Sequence, residues 1–544
     1  MNRRGQTLVL AYVVVVVLSV LGGSLLTHSL NASHVSQIQQ FQAGAFYLAE
    51  GGVEDAMAQF AQGIANFAID PIIPQYPAVG TLGTTFDPSP EFPNGAIVSS
   101  VLTEVQPGQQ TATDPDGTTV FVKTYEVTTT AANPLNPSTT VTVHQMIVRR
   151  LIYTFQHAVF YDGDLEWLPG PNMTLSGKVH SNSDIYLGTG SATSTLTADT
   201  TYLHAAGSIY NARKDGGPIP AGSTVQIKDT ASGAFVPMNG FDSTDPTWTA
   251  GALAKWGGTV QTDVHGVTEL AVPVVGSTQP GGFYDSNADV KVVDNTVLDG
   301  GTALVPGVDI PLGTVTTSTS FYNNREGKWV QMVNIDLKKL AGYANTSDTV
   351  PTFPNHLPDN GLLYATATSV PAANQPGVRL LNGQEIQQSA GLTVVTNDPL
   401  YIQGNFNTVA KKPTAVIADA VNLLSTNWSD ANSAASLNSR VASSTTVNAA
   451  FIAGINTTTP GQYNGGLENY PRLHEKWTGK TLSITGSFVS LWNSQIATGN
   501  WVYGAPQYTA PLRNWAYDTS FSSGTVPPFT PWAVQIQRGA WWKE

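Results

Sequence analysis

Residues 5–26 read GQTLVLAYVVVVVLSVLGGSLL, and residues 45–67 read AFYLAEGGVEDAMAQFAQGIANF. No Asp, Glu, Lys or Arg stands between Gly5 and Ala49. As a helix, the stretch from Leu8 to Leu26 spans roughly 28 Å, close to the ~30 Å of a bilayer's hydrocarbon core. It is a candidate membrane span. Arg3 and Arg4 flank it on one side, and Glu50, Glu54 and Asp55 lie far along the other. The positive-inside bias then places the N-terminus in the cytoplasm and the rest of the chain outside it. A cleavable secretory signal has similar ingredients, here with small residues at Gly22, Gly23 and Ser24, but its apolar core runs only about 7–15 residues. In this chain the run is longer and helical patterning continues past it.

Ile38, Phe41, Ala45 and Leu48 keep helical spacing, and after a shift at Gly51-Gly52 so do Val53, Met57, Phe60, Ile64 and Phe67. That second set predicts an apolar stripe on one helix face. Asp70-Pro71 and Pro74 should end the helix. Residues 1–70 therefore read as leader, span and amphipathic helix in one rod, its lower half in lipid and its upper half packed on a globular body.

Beyond the rod the chain reads as mainly β. Over 71–160, period-two alternation in Val120–Val127 and Thr140–Tyr153, with turns at Asp116-Gly117 and Asn133-Pro134, predicts an antiparallel β unit that covers the stripe. From 161 to 544 the texture changes to short strands closed by glycine, as in Met173–Gly177, Pro399–Gly404 and Thr481–Gly486. This weak repeat suits rungs of a β-solenoid or a small β-sandwich. Residues 205–390, rich in Pro, Gly and Ser turns, read as an insertion or second lobe with one helix over Val333–Tyr343. The aromatic-dense run from Trp501 to Trp542 suits packing between lobes, or a carbohydrate-binding face.

Composition excludes several classes of function. Charged residues make up 12% of the 544, about half the usual share, and 25 Lys and Arg stand against 38 Asp and Glu for a net charge of −13. Nothing there meets the phosphates of a nucleic acid. The absence of cysteine removes disulfides, thiolate metal sites and thiol nucleophiles. The nine histidines form no paired ligand motif, no cofactor motif occurs, and GxSxG and P-loop signatures are lacking. The carboxylates in YDGDLEW, namely Asp162, Asp164 and Glu166, occupy alternate positions. They read as a solvated acidic edge, with a calcium site or a carboxylate pair of a polysaccharide-degrading β-solenoid as the sharper alternatives.

RRGQTLVLAYVVVVVLSVLGGS (residues 3–24) followed by AFYLAEGGVEDAMAQ (residues 45–59) resembles the N-terminus of PilX-type pilus assembly proteins and, more broadly, of type IV pilins and type II secretion pseudopilins. The resemblance implies a leader from Met1 to Gly5, cut by a prepilin peptidase before Gln6. It also implies a pilin-like helix plus antiparallel sheet, and other pilin-like subunits as partners through that helix. The protein would be a non-enzymatic, single-pass inner-membrane component with a periplasmic or extracellular body and no cofactor. A cell-surface adhesin or carbohydrate-binding module on a membrane anchor is the alternative, and a polysaccharide-degrading enzyme the third reading. Gly170–Gly188 and the later NLLSTNWSD and GSFVSLW stretches resemble uncharacterised domains found behind PilX-like N-termini. One departure is notable: where most pilins carry Glu five residues into the mature chain, this sequence has Leu10. With the large body, Leu10 points to a low-copy subunit at a filament end.

Overall fold

The computed structural model describes residues 3–67, 85–86, 97–105 and 108–544. The proposed helix stop at Asp70-Pro71 and Pro74 lies outside the described residues.

Helix α1, Arg3–Ala65, is 63 residues long, about 95 Å at helical rise. From Gly5 to Gln40 every side chain is exposed, Leu8 by 76%, and the first fully buried residue is Ala45. From there the helix lies across an antiparallel sheet of β1 (Thr85–Phe86), β2 (Ile97–Glu104), β4 (Thr119–Asn133), β5 (Asn136–Tyr153) and the C-terminal strand Trp532–Lys543, in that order. A short β3 (Gln110–Thr113) pairs with β4. The 71–160 unit thus takes its last strand from the far end of the chain, Trp532 facing Tyr153 in register.

Helix and sheet meet closely because the helix presents small residues between large ones. Phe60 is fully buried with its ring edge-on to Tyr125 at 4.9 Å, and Val53, Met57 and Ile64 are buried beside it. At Gly52 the sheet's side chains press so close to the helix backbone that an added Cβ would stand 2.5 Å from Thr129 Cγ2 and 2.6 Å from Val98 Cγ1. The Ser100 hydroxyl donates to the Gly52 carbonyl at 3.1 Å. Two residues past the end of the helix Phe67 takes φ +60°, a left-handed conformation normally left to glycine. Its ring stacks on Phe283 at 3.8 Å and meets Tyr284 and Trp532. Those contacts offset the backbone strain.

Between β5 and the C-terminal strand the chain builds a three-walled β-solenoid. Its first turn runs β6 (Val159–Tyr161), β7 (Leu165–Trp167) and β8 (Met173–Ser176), and β9 (Val179–Ser181) then stacks parallel on β6, Val159 facing Val179. The first wall is a twelve-stranded sheet. One arm climbs outward from β6 through β9 and Leu203–Ala205 to Val260–Gln261. The chain then crosses to the opposite end, enters at Val290–Val293, and winds back through Leu362–Thr366, Leu392–Val395, Thr414–Ala418 and Ala450–Ala453. Phe488–Ser490 closes the return by pairing parallel with β6. The two arms meet there in a seam.

Inward side chains such as Leu165, Trp167, Leu175, Val394 and Phe451 fill the solenoid. The outward face of the first wall is apolar as well: Phe160, Tyr364, Ile417, Ile452 and Val489 are buried against Leu270, Val272, Tyr284, Trp532 and Val534. A parallel sheet covered on both faces needs such continuous apolar strands.

Residues 205–390 contribute Ile209–Tyr210, Thr224–Lys228, Val290–Val293, Leu362–Thr366 and Gln375–Leu381 to these walls. The helix expected over Val333–Tyr343 is instead strand Lys328–Asp336 followed by a single helical turn, Leu337–Leu340, capped by the Asp336 side chain. Val330, Met332, Val333 and Ile335 are buried between neighbouring strands, and that packing overrides local helical preference.

Candidate functional site

Two places carry the residues singled out by sequence. The first is the rod. Gly5 and Gln6 lie in the exposed first turns of α1, and Leu8–Leu26 is wholly uncovered. This helix is long and apolar enough to cross a membrane, and none of its most apolar segment is buried within the molecule. Farther along, Val53, Met57, Phe60, Ile64 and Phe67 are all buried against the sheet and the crossing segment of the solenoid. The indole N–H of Trp532 donates to the Ile64 carbonyl at 3.2 Å, satisfying one of the acceptors a helix end leaves open. Arg538 grips Glu54 through two nitrogens at 2.6 and 2.5 Å. The far end of the chain therefore clamps the packed half of the helix.

The second place is a pocket of about 320 Å³ at the solenoid seam, and Asp162, Asp164 and Glu166 all line it. They do not behave alike. Asp162 follows β6; burial pushes its carboxyl up, against the pull of the Asn182 amide donating at 2.8 Å. For Asp164 burial works upward too, but the Lys214 ammonium at 2.7 Å and the Ser183 hydroxyl at 2.5 Å outweigh it and hold the group below its ordinary value. Glu166 sits within β7, only 6% exposed, and its Oε2 has no hydrogen-bond partner among the described residues. Burial pushes it up to about 7, helped by Glu468 and Asp215 and opposed by the Thr458 hydroxyl and Lys214. The solvated acidic edge expected from the sequence is overturned at Glu166. Leu165 and Trp167 point inward, and the chain after Ile455 folds over the outward Glu166.

Sequence reading missed a third group. His157, His180 and His204 gather with Lys178, Asp116 and Tyr202 around a cavity of about 230 Å³ between the solenoid and the antiparallel sheet. Burial drives His180 down to about 4 and His204 to about 3. His180 and His204 occupy the same position on successive rungs. The repeated Val-His and Leu-His steps at 179–180 and 203–204 were the available signal. Among the described residues no group of three or more His, Asp and Glu is placed to hold a metal ion.

No protein-family model matches the chain, and no curated protein matches it. Among solved structures it is similar to the crystal structure of the competence-associated pilin ComZ from Thermus thermophilus. The identity is 10%, the match covers 93% of this chain and 97% of that one, and the TM-score is 0.25. A superposition that loose settles neither fold nor function.

Proposed function

We propose that this protein is a membrane-anchored structural subunit of pilin type, a PilX-like minor pilin or pseudopilin of a type IV pilus or type II secretion-like assembly. The observation that carries the reading is the division of α1. The 36 residues from Gly5 to Gln40, about 54 Å, project bare and are apolar through Leu26, while the rest is locked onto a sheet closed by the C-terminal strand. A rod exposed over that length needs lipid or the helices of neighbouring subunits to cover it. In this reading the N-terminus is cytoplasmic, the body periplasmic or extracellular, and a prepilin peptidase cuts between Gly5 and Gln6.

The role is non-enzymatic and the subunit sits at a filament end. A body of this size has a radius of gyration of about 23 Å, bulky for a shaft of side-by-side helices. Leu10 also lacks the charge that a Glu at that position would offer a neighbouring subunit.

The mass of the mature N-terminus tests the processing. Loss of Met1 to Gly5 supports it, an intact start supports a plain anchor, and loss of 25 or more residues supports a secreted protein. Immunogold labelling of sheared filaments tests the position: labelling confined to ends agrees with it, and regular labelling along the shaft rejects it.

A further inference from the structure

The second wall of the solenoid is broken at the seam. The first wall runs through without interruption, since β6 pairs with Phe488–Ser490. In the second wall, β7 ends a three-stranded sheet and Arg472–Leu473 ends a separate six-stranded sheet. The chain from Ile455 to Tyr470 fills the break. Glu468 Oε2 accepts the Leu168 N–H at 3.1 Å, and Gly466 passes so near β7 that a Cβ there would stand 2.5 Å from the Glu166 carbonyl. The pocket lies where this patch meets the corner of the first wall.

Its chemistry is that of an open hydrogen-bonding site. Among the described residues the Glu166 Oε2 atom is buried and has no hydrogen-bond partner, and the same holds for the indole nitrogen of Trp492, which also lines the pocket. Buried polar atoms are paired in nearly every folded protein, so an unpaired acceptor and an unpaired donor lining one cavity call for a ligand that supplies both. Lys214 neutralises Asp164, which leaves the pocket without the charge excess that would attract an anion. The same ammonium and the absence of a metal-holding cluster among the described residues disfavour a divalent cation. Hydroxyl groups donate and accept at once, and the partly exposed Trp492 adds an apolar face. The volume stands at the lower end for small-molecule sites. Outward along the second wall, Glu166 is in register with Tyr186 and then Tyr210, whose partly exposed rings stack at 5.0 Å. An extended ligand leaving the pocket meets an aromatic ladder.

We infer that the seam pocket binds a neutral, hydroxyl-rich sugar unit of an extracellular glycan, anchored by Glu166 and Trp492, with the following units running over Tyr186 and Tyr210. The inference does not rest on the pilin reading, because binding is read on the isolated full chain and needs no filament.

Saturation-transfer NMR of the detergent-solubilised full chain, against methyl hexosides, N-acetylhexosamines and cellobiose at about 10 mM, detects dissociation constants up to ~1 mM. At least one probe should show transfer. Glu166→Ala and Trp492→Ala should each weaken its binding about tenfold or more, and Glu166→Gln, which keeps shape and an acceptor oxygen, should stay within about threefold. Trp492 is partly exposed, so its variant keeps the test open should Glu166→Ala fold poorly. Silence across the whole panel overturns the inference, as does binding unchanged in the Trp492 variant. A calcium-induced rise in Tm that vanishes in Glu166→Gln overturns it in favour of a cation site.

Discussion

From Tyr125 to Ala131, β4 alternates buried with half-exposed side chains, because an antiparallel sheet with a helix on one face needs only one apolar side. In the solenoid, Thr414–Ala418 and Ala450–Ala453 are buried at every position, their inner side chains filling the solenoid and their outer ones meeting the helix–sheet unit. The first region tolerates a change of side chain on its wet face and punishes one on its dry face. The second has no wet face along the middle of its first wall, from Leu362–Thr366 to Ala450–Ala453. The helix changes regime along its length, bare on every side to Gln40 and buried on one face from Ala45 onward.

The sharpest way to break this contrast is Phe60→Asp. A charge placed at a fully buried site without a partner, with the loss of the ring against Tyr125, should cost about 4 kcal/mol or more in denaturant unfolding. Ala58→Gln, two residues away on the exposed face, should stay within about 0.5 kcal/mol. Equal stabilities would mean the helix is not packed on the sheet.

Glu166→Gln tests the seam through pH. The folded group titrates at about 7 and the unfolded one at 4.5, so between those values the folded state holds the extra proton. Its stabilising effect is full below about 4.5 and is lost as pH rises through 7. The variant does not titrate. Relative to wild type it should therefore gain stability from pH 4.5 to pH 8, by an amount of order 1–3 kcal/mol. A flat difference in Tm across that range would show that Glu166 is hydrated.

Gly52→Ala should destabilise by about 1–3 kcal/mol, although alanine favours a helix, because its Cβ has no room against Thr129 and Val98. Gly23→Ala, with nothing within 4 Å, should leave unfolding of the body unchanged. The smallest effect belongs to Arg538→Ala. Both partners of the Arg538–Glu54 pair are more than half exposed, so its loss should cost no more than about 1 kcal/mol and less at high salt.

The alternation over Thr140–Tyr153 and the uncharged run before Glu50 were legible because each signal lies within one segment. The glycine-closed strands at Met173–Gly177 and Thr481–Gly486 announced short rungs for the same reason. Trp532–Lys543 was read with its aromatic neighbours, yet it pairs with β5 nearly four hundred residues earlier. Periodicity does not carry partner choice over such a distance. Val333–Tyr343 failed as a helix because strands on both sides decided its conformation. Asp162, Asp164 and Glu166 were visible as carboxylates, but their three environments come from Asn182, Lys214 and the patch after Ile455.

By itself the sequence determined a mainly β chain with one long N-terminal helix, since apolar length, charge and spacing act through local geometry. Only the tertiary structure decided that the solenoid is inserted between two paired strands of the antiparallel sheet, and that its two arms meet at β6. Only there, too, does Glu166 become a buried acid with one carboxylate oxygen unpaired among the described residues. Those outcomes depend on which distant strands share hydrogen bonds, and a strand's free edge accepts any partner whose register buries both faces.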